Sequence, residues 1–360
     1  MSVIVRSLKE VWEADAEVIS LLVGIILLFY CSAVFLGQSE HFSILIYPKV
    51  TVVSVLLFLI ALFLVSSCFV LLFVRPNKPI SYMAEKTIGI VRTVGWLRAA
   101  ILMILFSFFF SAFSSFKSLI PLIHPYQVDP DLHKLDIILH GGKLPWVWFQ
   151  PFIEAVEGSL VINVFYNFWF ILVVNVLFWF VWDGRDPFLR KRYLLSYLLC
   201  WFFNGAFLAV LFSSAGPAFF AKLYPTLEDP YRSLLDYLRT ANGGEAVWAL
   251  GIQEHLWNLY KAGGAGVGSG ISAMPSMHVS MAWLIFLLAC QVRRWLAAVA
   301  FIYVLLIMLG SVHLAWHYLS DGYVAIIMTS LVWFLVGVWC RKKEVNHAME
   351  NASAESATGY

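Results

Sequence analysis

Long apolar runs, each closed by a short polar or charged stretch, dominate the chain. Eight of them approach or exceed the roughly 20 residues that a helix needs to cross hydrocarbon: 18–37, 50–74, 97–116, 159–182, 193–212, 275–292, 295–315 and 319–340. Backbone polar groups inside a bilayer must be satisfied within the structure that spans it, so these runs predict helices rather than strands. Ahead of the first run, Val3 to Glu17 predicts an amphipathic helix. Between the fifth and sixth runs, Leu227, Tyr231, Leu234, Leu235 and Leu238, then Val247, Trp248, Leu250, Leu256 and Leu259, recur at helical spacing. They predict two amphipathic helices lying at the interface, broken at Asn242-Gly243-Gly244. The expected fold is therefore all-α, a polytopic membrane helix bundle of about eight spans with interfacial helices in two long loops, 117–158 and 213–274. The expected organisation is an N-terminal helix with three accessory spans over 1–116, a five-span domain over 117–340, and a tail over 341–360 whose Ala, Ser, Glu and Asn predict disorder.

Composition sharpens the picture. Hydrophobic residues make up 61% of the 360 and charged residues 13%, and the mean hydropathy is +0.81, against about 45–50% and about 25% in soluble domains. Thirty Phe, fifteen Trp and fifteen Tyr exceed what a soluble core of this length hides. A soluble, disordered or collagen-like chain is excluded, and a net charge of +2 leaves no footprint for nucleic acid. The five cysteines, at 31, 68, 200, 290 and 340, lie in or beside apolar runs with no zinc spacing. The first apolar run begins near Val18 behind an acidic segment and is long enough to span, so no cleavable signal peptide is expected. With the N-terminus placed in the cytoplasm, sixteen of the 24 Lys and Arg fall on the cytoplasmic side, including Arg190, Lys191, Arg192, Arg341, Lys342 and Lys343. That bias predicts both termini in the cytoplasm and the two long loops on the extracytoplasmic face.

Polar groups at the outer ends of the spans gather in the last third of the chain. One cluster is Ser272-Ala273-Met274-Pro275-Ser276-Met277-His278, and the other runs from Ser311 through His313 and His317 to Asp321. Ionisable residues at membrane depth are costly and point to function. Spaced i, i+4 on a helix, His317 and Asp321 share a face. The carboxylate then accepts from one imidazole nitrogen and leaves the other as the nucleophile. His278 supplies a second imidazole, and Pro275-Ser276 suits a helix N-terminus, which offers N–H groups to a phosphate. Two imidazoles, a carboxylate and such a helix end suit phosphoryl transfer through a phosphohistidine. The alternative for His313, His317 and Asp321 is a zinc site, but no Cys or His-Glu-x-x-His pattern supports it. No metal or cofactor is expected. The glycine-rich run Ala262 to Gly270 fits no P-loop and predicts a hinge or lid.

Pro275-Ser276-Met277-His278 and His317-Tyr318-Leu319-Ser320-Asp321 resemble the second and third signature motifs of the type-2 phosphatidic acid phosphatase superfamily. Gly270 to Met274 and Ser214-Ala215-Gly216-Pro217-Ala218-Phe219-Phe220 are similar to the branch containing inositol phosphorylceramide synthase and sphingomyelin synthase. The resemblance implies His317 as nucleophile, Asp321 as its partner, His278 as general acid, and Ser276 with nearby backbone N–H groups as phosphate ligands. Two elements of the superfamily pattern are missing. The Arg six residues before the third-motif His is Ser311 here, and the first motif is absent: Arg75-Pro76 has Cys68 where Lys would stand. Another cation must serve, with Lys222 first, then Arg232, Lys143 and His313.

These features predict an integral membrane lipid phosphotransferase working on a membrane lipid donor and a small polar or lipid hydroxyl acceptor, its site periplasmic in a bacterial inner membrane or lumenal elsewhere. The bacterial setting is favoured by the resemblance. A lipid phosphate or polyprenyl pyrophosphate phosphatase is the alternative. A proton-coupled lipid transporter would instead predict polar residues at span midplanes and repeated halves.

Overall fold

The computed structural model describes residues 3–93, 96–241 and 247–358. Among them the secondary structure is helical throughout, and no strand occurs. In chain order the helices are α1 (Val3–Phe35), α2 (Pro48–Phe69), α3 (Pro79–Thr93), α4 (Trp96–Ile123), α5 (Asp129–Leu139), α6 (Pro145–Ala155), α7 (Ser159–Trp182) and α8 (Pro187–Phe202). They continue with α9 (Leu208–Leu211), α10 (Phe220–Leu223), α11 (Arg232–Leu238), α12 (Trp248–Ala262), α13 (Met277–Val292), α14 (Arg294–His313) and α15 (Leu319–Thr358).

Among the described residues, seven segments are long and apolar enough to cross a membrane: Val11–Phe35, Pro48–Val74, Leu97–Ile123, Ser159–Trp182, Pro187–Leu211, Arg294–His313 and Leu319–Asn346. The chain is thus an integral membrane helix bundle. The remaining expected span, 275–292, forms the 16-residue helix α13, apolar but short of a full crossing. It begins only after Pro275 and Ser276, which are used to place the start of the helix rather than to lengthen it. Helix α15 runs to Thr358 across the segment whose composition predicted a tail. Its Ala and Glu are strong helix formers. The expected break at Asn242-Gly243-Gly244 lies outside the described residues.

The chain forms two compact units. The first gathers residues up to Leu119 with Phe170–Asp186 and Asn258–Gly270. In it α1 is kinked at Asp15 and buries Val18, Leu22, Ile25, Phe29 and Ala33, a stripe at three- and four-residue spacing, while Leu27 and Leu28 face outward. Phe29 stacks on Phe116 at 4.4 Å. The buried Asp15 carboxylate lies 3.8 Å from Arg98. Helix α2 buries Phe58 edge-on to Phe178 and Trp182 and leaves most of its other apolar residues exposed, as suits a lipid-facing helix. The glycine-rich run is a tethered turn rather than a loose hinge. Gly268 N donates to Tyr47 Oη at 2.9 Å, and Ser269 Oγ pairs with Ser118 Oγ at 3.1 Å. At Gly270 (φ 85°) a side chain would meet the Lys117 backbone at 2.7 Å.

The second unit holds Ile120–Trp169, Pro187–Trp257 and Ile271–Tyr360. Here α13 packs on α14 and α15, and α8 packs on α13 and α15. Buried polar links cross these helices where lipid could not satisfy them. Asn204 Nδ2 donates to Ser280 Oγ at 2.9 Å and Thr329 Oγ1 at 3.2 Å, and those two hydroxyls lie 2.8 Å apart. Between the spans, α5, α10 and α11 bury Leu132, Phe220 and Tyr231 against Met274 and Tyr318. The motif-bearing segments are thereby packed beneath the loop helices, which fixes their backbones before any side chain is considered.

Candidate active site

The segment 213–216 pairs with the segment that precedes α13. Ala273 N donates to Ser214 O at 2.9 Å, and Met274 N donates to Ser214 Oγ at 3.1 Å. Ser276 then caps α13, its Oγ accepting from Val279 N at 3.4 Å. Within the first turn of the helix, His278 is half-buried. Its ring packs 4.4 Å from Tyr166, nearly parallel, and 4.3 Å from Trp169, whose Nε1 donates to His278 O at 2.9 Å. Two aromatic side chains of α7 therefore set the orientation of this imidazole.

The other motif begins where α14 ends. Trp316 N donates to Ser311 O at 3.0 Å and Ala315 N to Val312 O at 3.1 Å, the paired bonds of a Schellman close. The residue held in the left-handed region is a buried alanine, Ala315 (φ 58°), where glycine is the usual occupant. Strain of this kind next to reactive groups persists only where the surroundings enforce it. His317 follows in the connection, two residues before α15, so it does not share a helix with Asp321 as the spacing predicted. Its ring lies 6.1 Å from the His278 ring. Its Nδ1 donates to Ala273 O at 2.7 Å and lies 3.4 Å from Asp321 Oδ2. A backbone carbonyl thus takes the orienting role expected of the carboxylate. With Nδ1 donating, the neutral form of the ring carries its lone pair on Nε2. Asp321 sits at the third position of α15 and accepts from Tyr318 N at 2.9 Å, closing the N-terminus as a capping box does.

Two buried aspartates on α5 complete the frame. Asp136 accepts from Leu319 N at 2.8 Å and Ser320 N at 2.9 Å, so one carboxylate satisfies two N–H groups of the first turn of α15. Asp129 accepts from Gly216 N at 2.7 Å, Ala215 N at 3.0 Å and Tyr318 Oη at 3.0 Å. Burial pushes the Asp129 carboxyl above the ordinary carboxylate range, and the bonds from Gly216, Ala215, Tyr318 and Tyr224 draw it partly back. The separation of seven residues, two helical turns, was the available signal that both side chains share a face.

The candidate cations are engaged by other partners or exposed. Lys222 donates to Glu254 at 2.5 Å and sits over the Trp257 ring at 5.2 Å, so its charge is already engaged. His313 pairs through Nε2 with Ser159 Oγ at 2.9 Å, which in turn meets Tyr237 Oη at 3.0 Å. That network uses His313 to join α14 to the loop helices. Arg232 is exposed. Lys143, also exposed, lines an open cleft of about 620 Å³ with His133, Lys134 and Trp146. Ser311 is buried beside the turn it helps to close.

Gly216 (φ 97°) shows how tightly the segments meet: a Cβ there would stand 2.5 Å from Trp316 O and 3.2 Å from Ala273 Cβ. Gly216→Ala should therefore displace both motif backbones at once. The left-handed φ alone costs about 1–3 kcal/mol, and the expected result is a lower thermal midpoint with loss of activity. A purified G216A variant with wild-type stability would contradict this packing.

Comparison with known proteins adds one finding. No curated protein and no solved structure gives a significant match to the chain. The family model of the PAP2 superfamily, whose members are phosphatases and phosphotransferases, matches residues 131–335, more than half of the chain and the stretch that contains Asp136, His278, His317 and Asp321. A membrane helix bundle that carries both histidines and this matched region belongs to the PAP2 superfamily.

Proposed function

We propose that the protein is a lipid phosphotransferase that moves a phosphoryl-containing head group from a membrane lipid to a hydroxyl acceptor through a phosphohistidine. The observation that carries this reading is the pair of imidazoles 6.1 Å apart, one with its Nδ1 committed to Ala273 O. A phosphorus atom at near-attack distance from one ring, about 3–3.5 Å, keeps its leaving oxygen within hydrogen-bond reach of the other. His317 Nε2 attacks phosphorus, the P–O bond to the lipid alcohol breaks, and His278 gives its proton to the departing oxygen. In the second half His278 takes the proton of an acceptor hydroxyl. That oxygen attacks phosphorus, and the P–N bond breaks to restore His317. Positioning and charge stabilisation supply most of the rate in such transfers.

The transfer reading, and within it a sphingolipid or inositol-lipid branch, is supported by the sparse cationic equipment of the site. Lys222 is paired with Glu254, and Arg232 and Lys143 are exposed. A phosphodiester carries less charge than a phosphomonoester and needs fewer cations. The Lys and Arg distribution supports an extracytoplasmic site and cytoplasmic termini, and the family resemblance favours a bacterial inner membrane. The test is purified protein with labelled phospholipids and polyprenyl phosphates, with and without polyol or sphingoid acceptors. A new phosphodiester lipid is the expected product. Free phosphate as the sole product would make the protein a phosphatase instead.

A further inference from the structure

The open cleft of about 620 Å³ is bounded by α5, the start of α6 and the segment 227–230. Its size is that of a small-molecule or head-group site. Helix α5 serves two surfaces. Asp129, Leu132 and Asp136 are buried toward the segments that carry the histidine motifs, whereas His133 and Lys134 line the cleft. The cleft favours negative charge in three ways. Lys143 is exposed and makes no ion pair among the described residues, and the ion pair of Lys134 is the surface one with Asp131 at 3.4 Å. Helix α6 opens on the cleft at Leu144 with no side-chain cap, which leaves the positive end of the helix to an incoming group. His133 adds a donor. The buried Tyr231 hydroxyl finds its one acceptor among the described residues in His133 Nδ1, at 3.1 Å. The hydroxyl therefore donates, and the neutral imidazole keeps its proton on Nε2. Against these groups the lining holds one carboxylate among the described residues, Glu228.

The same two helices expose large apolar side chains. Ile138 on α5 is 75% exposed and Phe152 on α6 76%, and Leu139 and Trp148 are exposed as well. Val147 is exposed and also lines the cleft, so the apolar surface reaches the cleft edge. Exposed apolar surface on the loop helices of an integral membrane protein suits the boundary between head groups and acyl chains. We infer that the cleft binds the head group of an anionic phospholipid whose acyl chains lie against the exposed apolar side chains of α5 and α6. Lys134 and Lys143 meet the negative charge, and a zwitterionic head group would bring its own cation toward them. The inference is independent of the phosphotransferase reading, since it uses neither His278 nor His317.

The test titrates the purified full-length chain in a neutral detergent with lysophosphatidylglycerol, lysophosphatidylcholine of the same chain length and soluble glycerol phosphate. Bound molecules are counted by native mass spectrometry. The wild type should bind the anionic lysolipid at least about ten-fold more tightly than either of the others. Lys134→Gln and Lys143→Gln should each weaken it about five-fold, the scale of one lysine beside an anionic lipid. Glu228→Gln should strengthen it by a similar factor, a gain that misfolding cannot mimic. Lys261→Gln, at an exposed lysine that does not line the cleft, should bind like the wild type. The inference is overturned if the two lysolipids bind alike, if K134Q and K143Q keep wild-type affinity, if E228Q gains nothing, or if K261Q loses as much as K143Q. Glycerol phosphate binding as tightly as the lysolipid would leave the apolar surface no part and overturn it too. His317→Ala separates this site from the proposed catalytic one. Undiminished lipid turnover in H317A defeats the phosphohistidine route and leaves the cleft untouched, whereas loss of anionic-lipid binding in H317A would place that lipid at the imidazole pair and defeat the cleft.

Discussion

Replacing His317 with alanine should lower lipid turnover by about four orders of magnitude or more, the scale seen when a covalent nucleophile is removed. The expectation follows from where Nδ1 goes. Its 2.7 Å bond to Ala273 O fixes both the tautomer and the direction of Nε2, and no backbone shift restores a nitrogen at that point once the ring is gone. His278→Ala should behave differently. Loss of a general acid costs about two to four orders of magnitude, and the loss depends on how badly the leaving group needs a proton. With an aryl phosphodiester, whose leaving oxygen departs unprotonated, H278A should recover most of its first-step rate while H317A should not. Acid-labile label retained on H278A and absent from H317A after brief incubation is the direct check. Equal deficits on alkyl and aryl donors would assign His278 to a role other than proton transfer.

Much of this arrangement could be read from the chain, for identifiable reasons. Spans of about 20 apolar residues announce themselves because hydrocarbon thickness fixes their length. Helix α13 escaped that rule: its expected run of 275–292 starts on Pro275 and Ser276, which the fold uses to cap the helix rather than to lengthen it. The two imidazoles are polar interruptions of apolar runs and stand out on cost alone. Their partners do not. The carbonyl that orients His317 belongs to Ala273, and no side-chain pattern marks an alanine for that task. Spacing at i, i+4 suggested a shared helix for His317 and Asp321, yet the chain leaves α14 at Ala315 and re-enters a helix only at Leu319. Lys222 looked available as a cation because its partner Glu254 lies 32 positions along the chain. Tyr166 was hidden for the opposite reason: one tyrosine among fifteen, in a run of aromatics, carries no mark of its special neighbour.

Asp136→Asn should produce the largest loss among residues that do not touch substrate. One carboxylate of α5 accepts from both Leu319 N and Ser320 N. Asn keeps one acceptor and turns an amide toward the other N–H, so one buried donor loses its partner, at about 1–3 kcal/mol. The charge that complements the helix N-terminus also disappears, worth about 0.3–1 kcal/mol more at a typical site. The damage falls on the first turn of α15, which carries Asp321 and follows Tyr318 and His317 directly. A carboxylate displaced by a fraction of an ångström leaves the imidazole present but poorly aimed, so kcat should fall about 10- to 100-fold with little change in KM. The thermal midpoint should drop by several degrees. Asp131→Asn is the matched control on the same helix, because Asp131 is exposed and its ion pair is the surface one with Lys134 at 3.4 Å. D131N should retain wild-type kcat and stability. If D136N kept wild-type kcat while losing stability, the cap would hold the helix without aiming the site, and the link from α5 to His317 would be lost.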